Sequence, residues 1–182
     1  MKVISGFLKG RSISGYNIIG TRPTMDRVKE SLFGMIQEHV KGSIVLDLFA
    51  GSGSLGIEAI SNGAKECYFI DNNQEVIQVL NKNVLNFDIA GQARVRLLDW
   101  KRALNDFFKM GVKFDIIFVD PPYEYDVYEK VIRKVIELNL LQSGGIIVLE
   151  HRNLLLKDNY GELSLYKEKK YGDKSVNIYQ MN

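Results

Sequence analysis

Apolar runs typical of strands alternate with segments of helical hydrophobic period along most of the chain. From Ser43 onward, five apolar runs typical of strands read SIVLDLFA, ECYFID, ARVRLLD, FDIIFVD and GGIIVLEHR. Helical spacing of apolar residues follows each of the first four runs. Strands alternating with helices predict a parallel α/β sheet with right-handed crossovers. The final segment has a turn signal at Gly172-Asp173 and predicts two antiparallel strands at one edge.

The beginning of the chain has a different pattern. MKVISGFLKGRSI predicts a short hairpin, interrupted by Gly6 and Gly10. TRPT predicts a turn, with Thr24 as the N-cap of one amphipathic helix over MDRVKESLFGMIQEHV. We therefore expect an N-terminal hairpin and helix, residues 1–42, before an α/β domain, residues 43–182. The expected sheet has seven strands.

Composition narrows the class of protein. The chain has 182 residues, 46% hydrophobic and 25% charged, which is typical of one soluble globular domain. It has no apolar run of membrane-spanning length and no secretory signal at its start, so we expect a cytoplasmic, non-membrane protein. With Cys67 as its one cysteine and with 2 histidines, neither a disulfide nor a bound metal is expected.

The formal net charge is +2, but the basic residues are unevenly distributed. Residues 1–30 contain six lysines and arginines against two acidic residues. A local excess of this kind can contact nucleic-acid phosphates, and it is equally typical of a solvated surface. Charge alone leaves both interpretations open.

A glycine-rich loop follows the first predicted strand. Gly51, Gly53 and Gly56 have the spacing G-x-G-x-x-G, and a predicted helix begins within the motif. Glycines allow a tight turn and a close approach of a ligand to the backbone. Asp71 ends the second strand, 20 residues after Gly51, where a carboxylate accepts hydrogen bonds from ribose hydroxyls. The combination predicts a site for a nucleotide-like ligand.

Further carboxylates indicate which ligand this is. Asp47 begins the loop and Asp99 ends the third strand. Acids around one pocket suit S-adenosylmethionine, which carries a sulfonium and an ammonium, better than the pyrophosphate of NAD. The alternative for Asp47 and Asp99 is capping at strand ends. Trp100 either flanks the adenine ring or belongs to the core.

The fourth strand ends in the segment VDPPYEY. An exocyclic amine on an aromatic base is a poor nucleophile, and two acceptors on its N–H bonds favour its attack on a methyl group. Asp120 supplies a carboxylate and Pro121 a rigidly held carbonyl, while Tyr123 can stack on a base removed from its helix. The alternative is a strand-ending turn with Tyr123 in the core. Cys67 lies inside a strand, which disfavours a thiol-adduct mechanism.

Four segments together, VISGFLKGR, TRPTMDRVKESLF, LDLFAGSGSLGIEAISNGA and FVDPPY, resemble the bacterial RsmD family. The resemblance covers nearly the whole chain and implies a Rossmann-like class I methyltransferase fold. It implies transfer from S-adenosylmethionine to the N2 amine of a guanine in 16S ribosomal RNA, of the guanine-966 type. The implied partner is ribosomal RNA within an assembling small subunit, bound by a monomer.

The resemblance also implies site residues. It places TRPT over the methionine end of the cofactor and beside the RNA, so the hairpin should lie near the carboxyl edge of the sheet. Phosphate contacts are then expected at Lys9, Arg11 and Arg22, and a base contact at Tyr123. The expected cofactor-binding residues are Asp47, Phe49, Gly51, Gly53, Asp71, Asn72, Asp99, Trp100 and Thr24.

Three other functions share parts of this pattern. A DNA adenine or cytosine amino-methyltransferase has the same turn, but 182 residues leave little room for a target-recognition domain. Protein glutamine methyltransferases usually have asparagine before the two prolines, where this chain has Asp120. A non-catalytic cofactor-binding module is disfavoured by the intact loop and turn.

Overall fold

A computed structural model describes residues 1–15, 23–122, 125–152 and 154–182, without the side chains of 23–25 and 125–126. Its helices and strands alternate over the centre of the chain, as the hydrophobic periods predict. In chain order they are α1 Pro23–Met35, α2 Gln37–Val40, β1 Ile44–Asp47, α3 Ser54–Ser61, β2 Glu66–Asp71, α4 Gln74–Asn86, β3 Ala93–Leu97, α5 Trp100–Met110, β4 Phe114–Val119, α6 Tyr125–Glu137, β5 Leu141–Arg152, β6 Asn159–Tyr160, β7 Leu163–Tyr171 and β8 Lys174–Met181.

All strands named above form one sheet in the order β3-β2-β1-β4-β5-β8-β7-β6. Strands β1 to β5 are parallel, and the C-terminal strands continue the sheet by antiparallel pairs: β8 with β5, β7 with β8, and β6 with β7. The predicted α/β class is thereby confirmed. The predicted number of seven strands is wrong, because Asn159–Tyr160 pairs with β7 as an eighth. Two residues are too few to show a strand period in the sequence.

The sheet separates two hydrophobic cores. One contains buried residues of α1, α3 and α4, and the other contains buried residues of α5 and α6. Neighbouring residues of β4 point alternately into the two cores, with Phe118 in the first and Val119 in the second. A strand covered on both faces has no solvent face, which explains its almost wholly apolar sequence. None of the helices that the structure describes is long and apolar enough to span a membrane.

The N-terminal segment packs directly on the α/β unit. Its predicted hairpin is reduced to a single antiparallel bridge between Lys2 and Ser12. Val3, Leu8 and Ile13 are buried in the same core as α3 and α4. A segment this short has no core of its own, so it gains stability from the domain behind it.

Helix α1 crosses the C-terminal hairpin. Lys169 Nζ donates to Ser31 Oγ at 2.8 Å, and Lys167 Nζ donates to the Met35 carbonyl at 2.8 Å. These contacts order α1 antiparallel to β7, so the start of α1 lies toward the turn between β7 and β8. The expected single helix is interrupted at Ile36, where α1 ends and the one-turn α2 begins.

A candidate active site at the carboxyl edge of the sheet

A cleft of about 560 Å³ opens at the carboxyl ends of the parallel strands. It lies where the strand order reverses between β1 and β4, the position at which open α/β sheets bind ligands. The glycine loop after β1, the end of β2 and the turn after β4 all line it. The fold therefore brings together the segments that the sequence singled out.

The three motif glycines have different roles. Gly51 has φ +54° and lines the cleft, and a Cβ built on it would meet nothing within 4 Å. At Gly53, with φ +84°, a Cβ would lie 2.4 Å from Leu80 Cδ1, and at Gly56 it would lie 2.2 Å from Phe69 Cε1. Gly51 leaves room for a ligand, whereas Gly53 and Gly56 leave room for core side chains. The expected contact between Gly53 and the cofactor has no support from this geometry.

Asp71 is held rigidly at the end of β2. Its Oδ2 accepts from the Gly51 N–H at 3.0 Å, and its Oδ1 accepts from the Asn73 N–H at 2.9 Å. Asn73 in turn caps α4 by accepting from the Glu75 N–H at 2.9 Å. Both carboxylate oxygens retain acceptor capacity, and Asp71 and Asn72 line the cleft. This arrangement fits the hydroxyls of a ribose.

Asp47 is a buried acid at the bottom of the loop. Its side chain is 3% exposed, and its Oδ2 accepts from the Gly56 N–H at 3.0 Å. Burial, with a further contribution from the negative charge of Asp71, raises the pKa of Asp47 to about 7. A positively charged ligand in the cleft would favour the ionised carboxylate. The Asp47 carboxylate therefore fits a cationic cofactor.

Aromatic side chains form another part of the cleft. Phe49 and Trp100, two of the expected cofactor-binding residues, both line it. Asp99 does not line it, and instead caps α5 by accepting from the Lys101 N–H at 2.9 Å. Asp99 thus has a capping role, although at the start of a helix and not at a strand end as the sequence alternative supposed. The side chain of Thr24 lies outside the described part of the structure.

The turn after β4 faces the loop across the cleft. Asp120, Pro121 and Pro122 all line it. Asp120 is exposed to solvent where it lines the cleft. Partial desolvation by the neighbouring protein, and then the charge of Glu150, raise the pKa of Asp120 above its ordinary value, while Lys174 opposes the shift. Tyr123 lies outside the described residues.

Two further kinds of site chemistry would depend on metal ligands and on the one cysteine. No group of three or more His, Cys, Asp or Glu side chains there is arranged to hold a metal ion. Cys67 is buried inside β2, and burial raises the pKa of its thiol well above the ordinary value. A buried, protonated thiol is a poor nucleophile.

A buried ion pair that sequence reasoning missed lies beside the loop. Lys29 of α1 is 5% exposed, and its Nζ lies 3.1 Å from Glu58 Oε2 of α3, which is fully buried. Lys29 also donates to the Lys2 carbonyl at 2.7 Å and to Ser54 Oγ at 3.1 Å, and Glu58 accepts from the Ser5 N–H at 2.8 Å. The pair joins the N-terminal segment, α1 and the helix of the glycine loop. Its signal in the sequence is the single acid in SLGIEAIS.

A second missed pair lies beside the turn after β4. Glu150 of β5 and Lys174 of β8 form an ion pair, and both line the cleft. Glu150 follows an apolar run just as Asp120 does, so the rule that selected Asp120 also points to Glu150. Lys174 has no such signal, because its place depends on the long-range pairing of β5 with β8.

Of the expected RNA-contact residues, the structure describes Lys9 and Arg11. Lys9 is exposed, and the Arg11 guanidinium lies 4.7 Å from the centre of the Phe87 ring and donates to the Asn86 carbonyl. This is the far end of α4, whose 13 residues span about 20 Å from the cleft. The tip of the N-terminal segment therefore lies away from the carboxyl edge of the sheet, contrary to the expectation. Met1 and Gly15, at the two ends of this segment, do line the cleft. Arg22 lies outside the described residues.

The fold and the site together define a class I methyltransferase fold: a parallel sheet with an antiparallel C-terminal hairpin and a ligand cleft at its switch point. A solved structure of the Escherichia coli protein yhhF is similar with a TM-score of 0.87, at 30% identity, over 100% of this chain and 98% of that one. The likeness covers the N-terminal segment as well as the sheet.

Sequence comparison gives the particular family. A family model described as conserved hypothetical protein 95 matches residues 1–180. YlbH of Bacillus subtilis is 40% identical over 99% of this chain and 98% of its own length. The ribosomal RNA small subunit methyltransferase D of Haemophilus influenzae is 34% identical over 99% of this chain and 93% of its own. The chain belongs to this family, the RsmD family, as its motifs predicted.

Proposed function

We propose that this protein transfers a methyl group from S-adenosylmethionine to the exocyclic N2 amine of a guanine in small-subunit ribosomal RNA. The observation that carries the proposal is that Asp71 with the glycine loop and Asp120 with its two prolines line one cleft. The substrate class is supported by the names of relatives, among them ribosomal RNA small subunit methyltransferase D of Escherichia coli, 33% identical over 99% of this chain.

The cofactor end of the cleft is formed by residues with distinct tasks. Asp71 accepts from the ribose hydroxyls, and Asp47 balances the positive charge of the methionine part. Gly51 leaves the backbone open to close contact, and Phe49 and Trp100 enclose the adenine. The bound cofactor supplies an electrophilic methyl group on a sulfonium.

The turn after β4 activates the amine. Asp120 and the Pro121 carbonyl accept its two N–H bonds and direct the nitrogen lone pair toward the methyl carbon, which aligns the reacting atoms. The new N–C bond forms as the S–C bond breaks, and the S–C electron pair stays on sulfur. Asp120 then takes the proton that the amine loses. A pKa raised toward neutral suits this carboxylate to proton transfer.

The remaining parts of the proposal concern the RNA. Tyr123 stacks on the target base after it has left its helix. Basic residues of the N-terminal segment, including Lys9 and Arg11, contact phosphates of folded RNA or of an assembling subunit. The protein acts as a monomer in the cytoplasm, without a metal.

The test is methyl transfer from labelled S-adenosylmethionine to small-subunit particles isolated from cells lacking the gene, followed by mapping of the modified nucleotide. We expect Asp120→Ala to lower the rate about 100-fold or more with little change in cofactor affinity, because one positioned acceptor is lost. Tyr123→Ala should lower activity strongly and Tyr123→Phe only slightly, because stacking needs the ring alone.

A matched control is Asp158→Ala, which removes an exposed aspartate outside the cleft lining. It should leave the rate unchanged. Equal rates for the wild type and Asp120→Ala would refute the acceptor role. Label on DNA or on a protein glutamine in place of ribosomal RNA would refute the substrate class.

A further inference from the structure

Three ionisable side chains lie on neighbouring strands in one part of the cleft. Asp120 follows β4, Glu150 belongs to β5 and Lys174 to β8, and the sheet has these strands side by side in that order. Val119 pairs with Leu149, so Asp120 and Glu150 are the next residues of the two strands. The three therefore form a row: acceptor, acceptor, donor.

The pair of Glu150 and Lys174 is preformed and only partly buried. Their side chains are 14% and 23% exposed, and the Lys174 ammonium contacts Glu150 Oε1. The Tyr128 hydroxyl donates to the Glu150 carbonyl at 2.7 Å, which fixes the backbone at this point. A carboxylate has two acceptor oxygens and an ammonium three donors, so each group can also bind a ligand.

Two other ionisable side chains of β5 in this part of the cleft have partners outside the row. His151 Nε2 lies 2.8 Å from Asn177 Oδ1, and its Nδ1 accepts from the Leu154 N–H at 3.3 Å. Arg152 is paired with Asp173 at 3.5 Å. Asp120, by contrast, interacts electrostatically with both Glu150 and Lys174. The row of three thus behaves as one charged surface beside the proposed methyl acceptor.

The row matches one base. The Watson–Crick edge of guanine presents in sequence the N2 amine, the N1–H and the O6 oxygen: donor, donor, acceptor. Adenine and cytosine present an acceptor nitrogen directly beside their amine, which would face the carboxylate of Glu150. Enzymes that remove a base from its stack read it through this edge.

We propose that Glu150 and Lys174 select guanine, Glu150 by accepting its N1–H and Lys174 by donating to its O6, while Asp120 holds the N2 amine. This inference rests on the proposed function and adds the residues that determine base specificity. An ion pair that only joined β5 to β8 would stabilise the sheet without distinguishing one base from another.

The test compares guanine with 2-aminopurine, which keeps the N2 amine but has an acceptor at N1 and no O6. Each base is placed by ligation at the mapped target nucleotide of small-subunit RNA, and methyl transfer is measured with the full-length protein. The wild type should prefer guanine about 100-fold, because a hydrogen-bonded pair of contacts typically gives about 10- to 100-fold discrimination.

Two variants distinguish base recognition by Glu150 and Lys174 from a purely structural role of the ion pair. Lys174→Met should lower the rate on guanine about tenfold more than the rate on 2-aminopurine, because its effect on the pKa of Asp120 acts on both bases and the lost contact to O6 on guanine alone. Combining it with Glu150→Leu should lower the guanine rate further and raise the 2-aminopurine rate, because a carboxylate no longer faces N1. Lys134→Met is the matched control, since it breaks an exposed ion pair with Glu137 on α6. It should keep the wild-type preference.

The outcomes are distinct. Equal losses on guanine and 2-aminopurine in both variants would overturn the inference and leave the proposed function standing. Equal wild-type rates on guanine and 2-aminopurine would also overturn the inference and leave the proposed function standing. A wild type that methylates neither RNA would refute the proposed function and the inference with it.

Discussion

Asp47 gives the sharpest physical prediction, because its carboxyl is buried and its pKa lies near neutral. The ordinary pKa is 3.8, and burial raises it to about 7 in the folded protein. Between these values the folded state binds a proton that the unfolded state has released, so stability falls as pH rises. At about 1.4 kcal/mol per pH unit, the full effect is about 4 kcal/mol.

Asp47→Asn removes this titration and keeps an oxygen to accept from the Gly56 N–H. From pH 5 to pH 8 the free energy of unfolding of the ligand-free wild type should therefore fall relative to the variant, by about 2 to 3 kcal/mol. The measurement is urea unfolding of both proteins at pH 5, 6, 7 and 8. Other groups titrate in both proteins, so their contributions cancel in the difference.

The same variant tests the role proposed for Asp47 in binding. A cationic cofactor should lower the pKa of Asp47, so the affinity of the wild type for S-adenosylmethionine should rise with pH up to about pH 7, by at most about tenfold per pH unit. Asp47→Asn should bind more weakly and without this dependence. Stability curves of the two proteins that run parallel from pH 5 to pH 8 would refute the reasoning about burial.

Three other perturbations test the rest of the framework. Gly53→Val should lower the free energy of unfolding by about 3 kcal/mol, since its side chain would enter the core. Gly51→Ala should lower it by only about 1 kcal/mol but should weaken cofactor binding. Denaturation measures the stability of both variants, and calorimetry measures their affinity for the cofactor. Glu58→Ala should lower the free energy of unfolding by about 3 kcal/mol, because Lys29 would remain buried without its partner. Replacing both Lys9 and Arg11 by alanine should flatten the salt dependence of RNA binding by nearly one unit of slope per lost phosphate contact, with cofactor affinity unchanged, and an unaltered slope would place the RNA surface elsewhere.

The parts of the site that sequence predicted share one geometric origin. Residues that directly follow parallel strands meet at the same edge of the sheet, so Asp47, Asp71 and Asp120 could be brought together from the sequence alone. The periodicity identified those strands because each is covered on both faces and is therefore apolar throughout.

The parts that sequence did not predict depend on long-range packing. A glycine motif does not reveal whether a side chain at each position would face the ligand or the core. At Gly53 it would face the core, toward Leu80. The pairing of Lys29 with Glu58 depends on the docking of α1 against α3. The position of Arg11 at the far end of α4 depends on the packing of the N-terminal segment, which a basic composition does not specify.

The raised pKa values of Asp47 and Asp120 have a common meaning under the proposed function. Burial disfavours charge on Asp47, and partial desolvation and the charge of Glu150 raise the pKa of the exposed Asp120, so a cation that binds in the cleft favours the ionised form of both acids. During transfer Asp120 takes a proton as the sulfonium becomes a neutral thioether, so the positive charge lost at sulfur is matched by a negative charge lost at the carboxylate. The net charge of the cleft is the same before and after the reaction. The barrier then contains little contribution from creating net charge in the cleft, which is the advantage of placing an acid of raised pKa beside the amine.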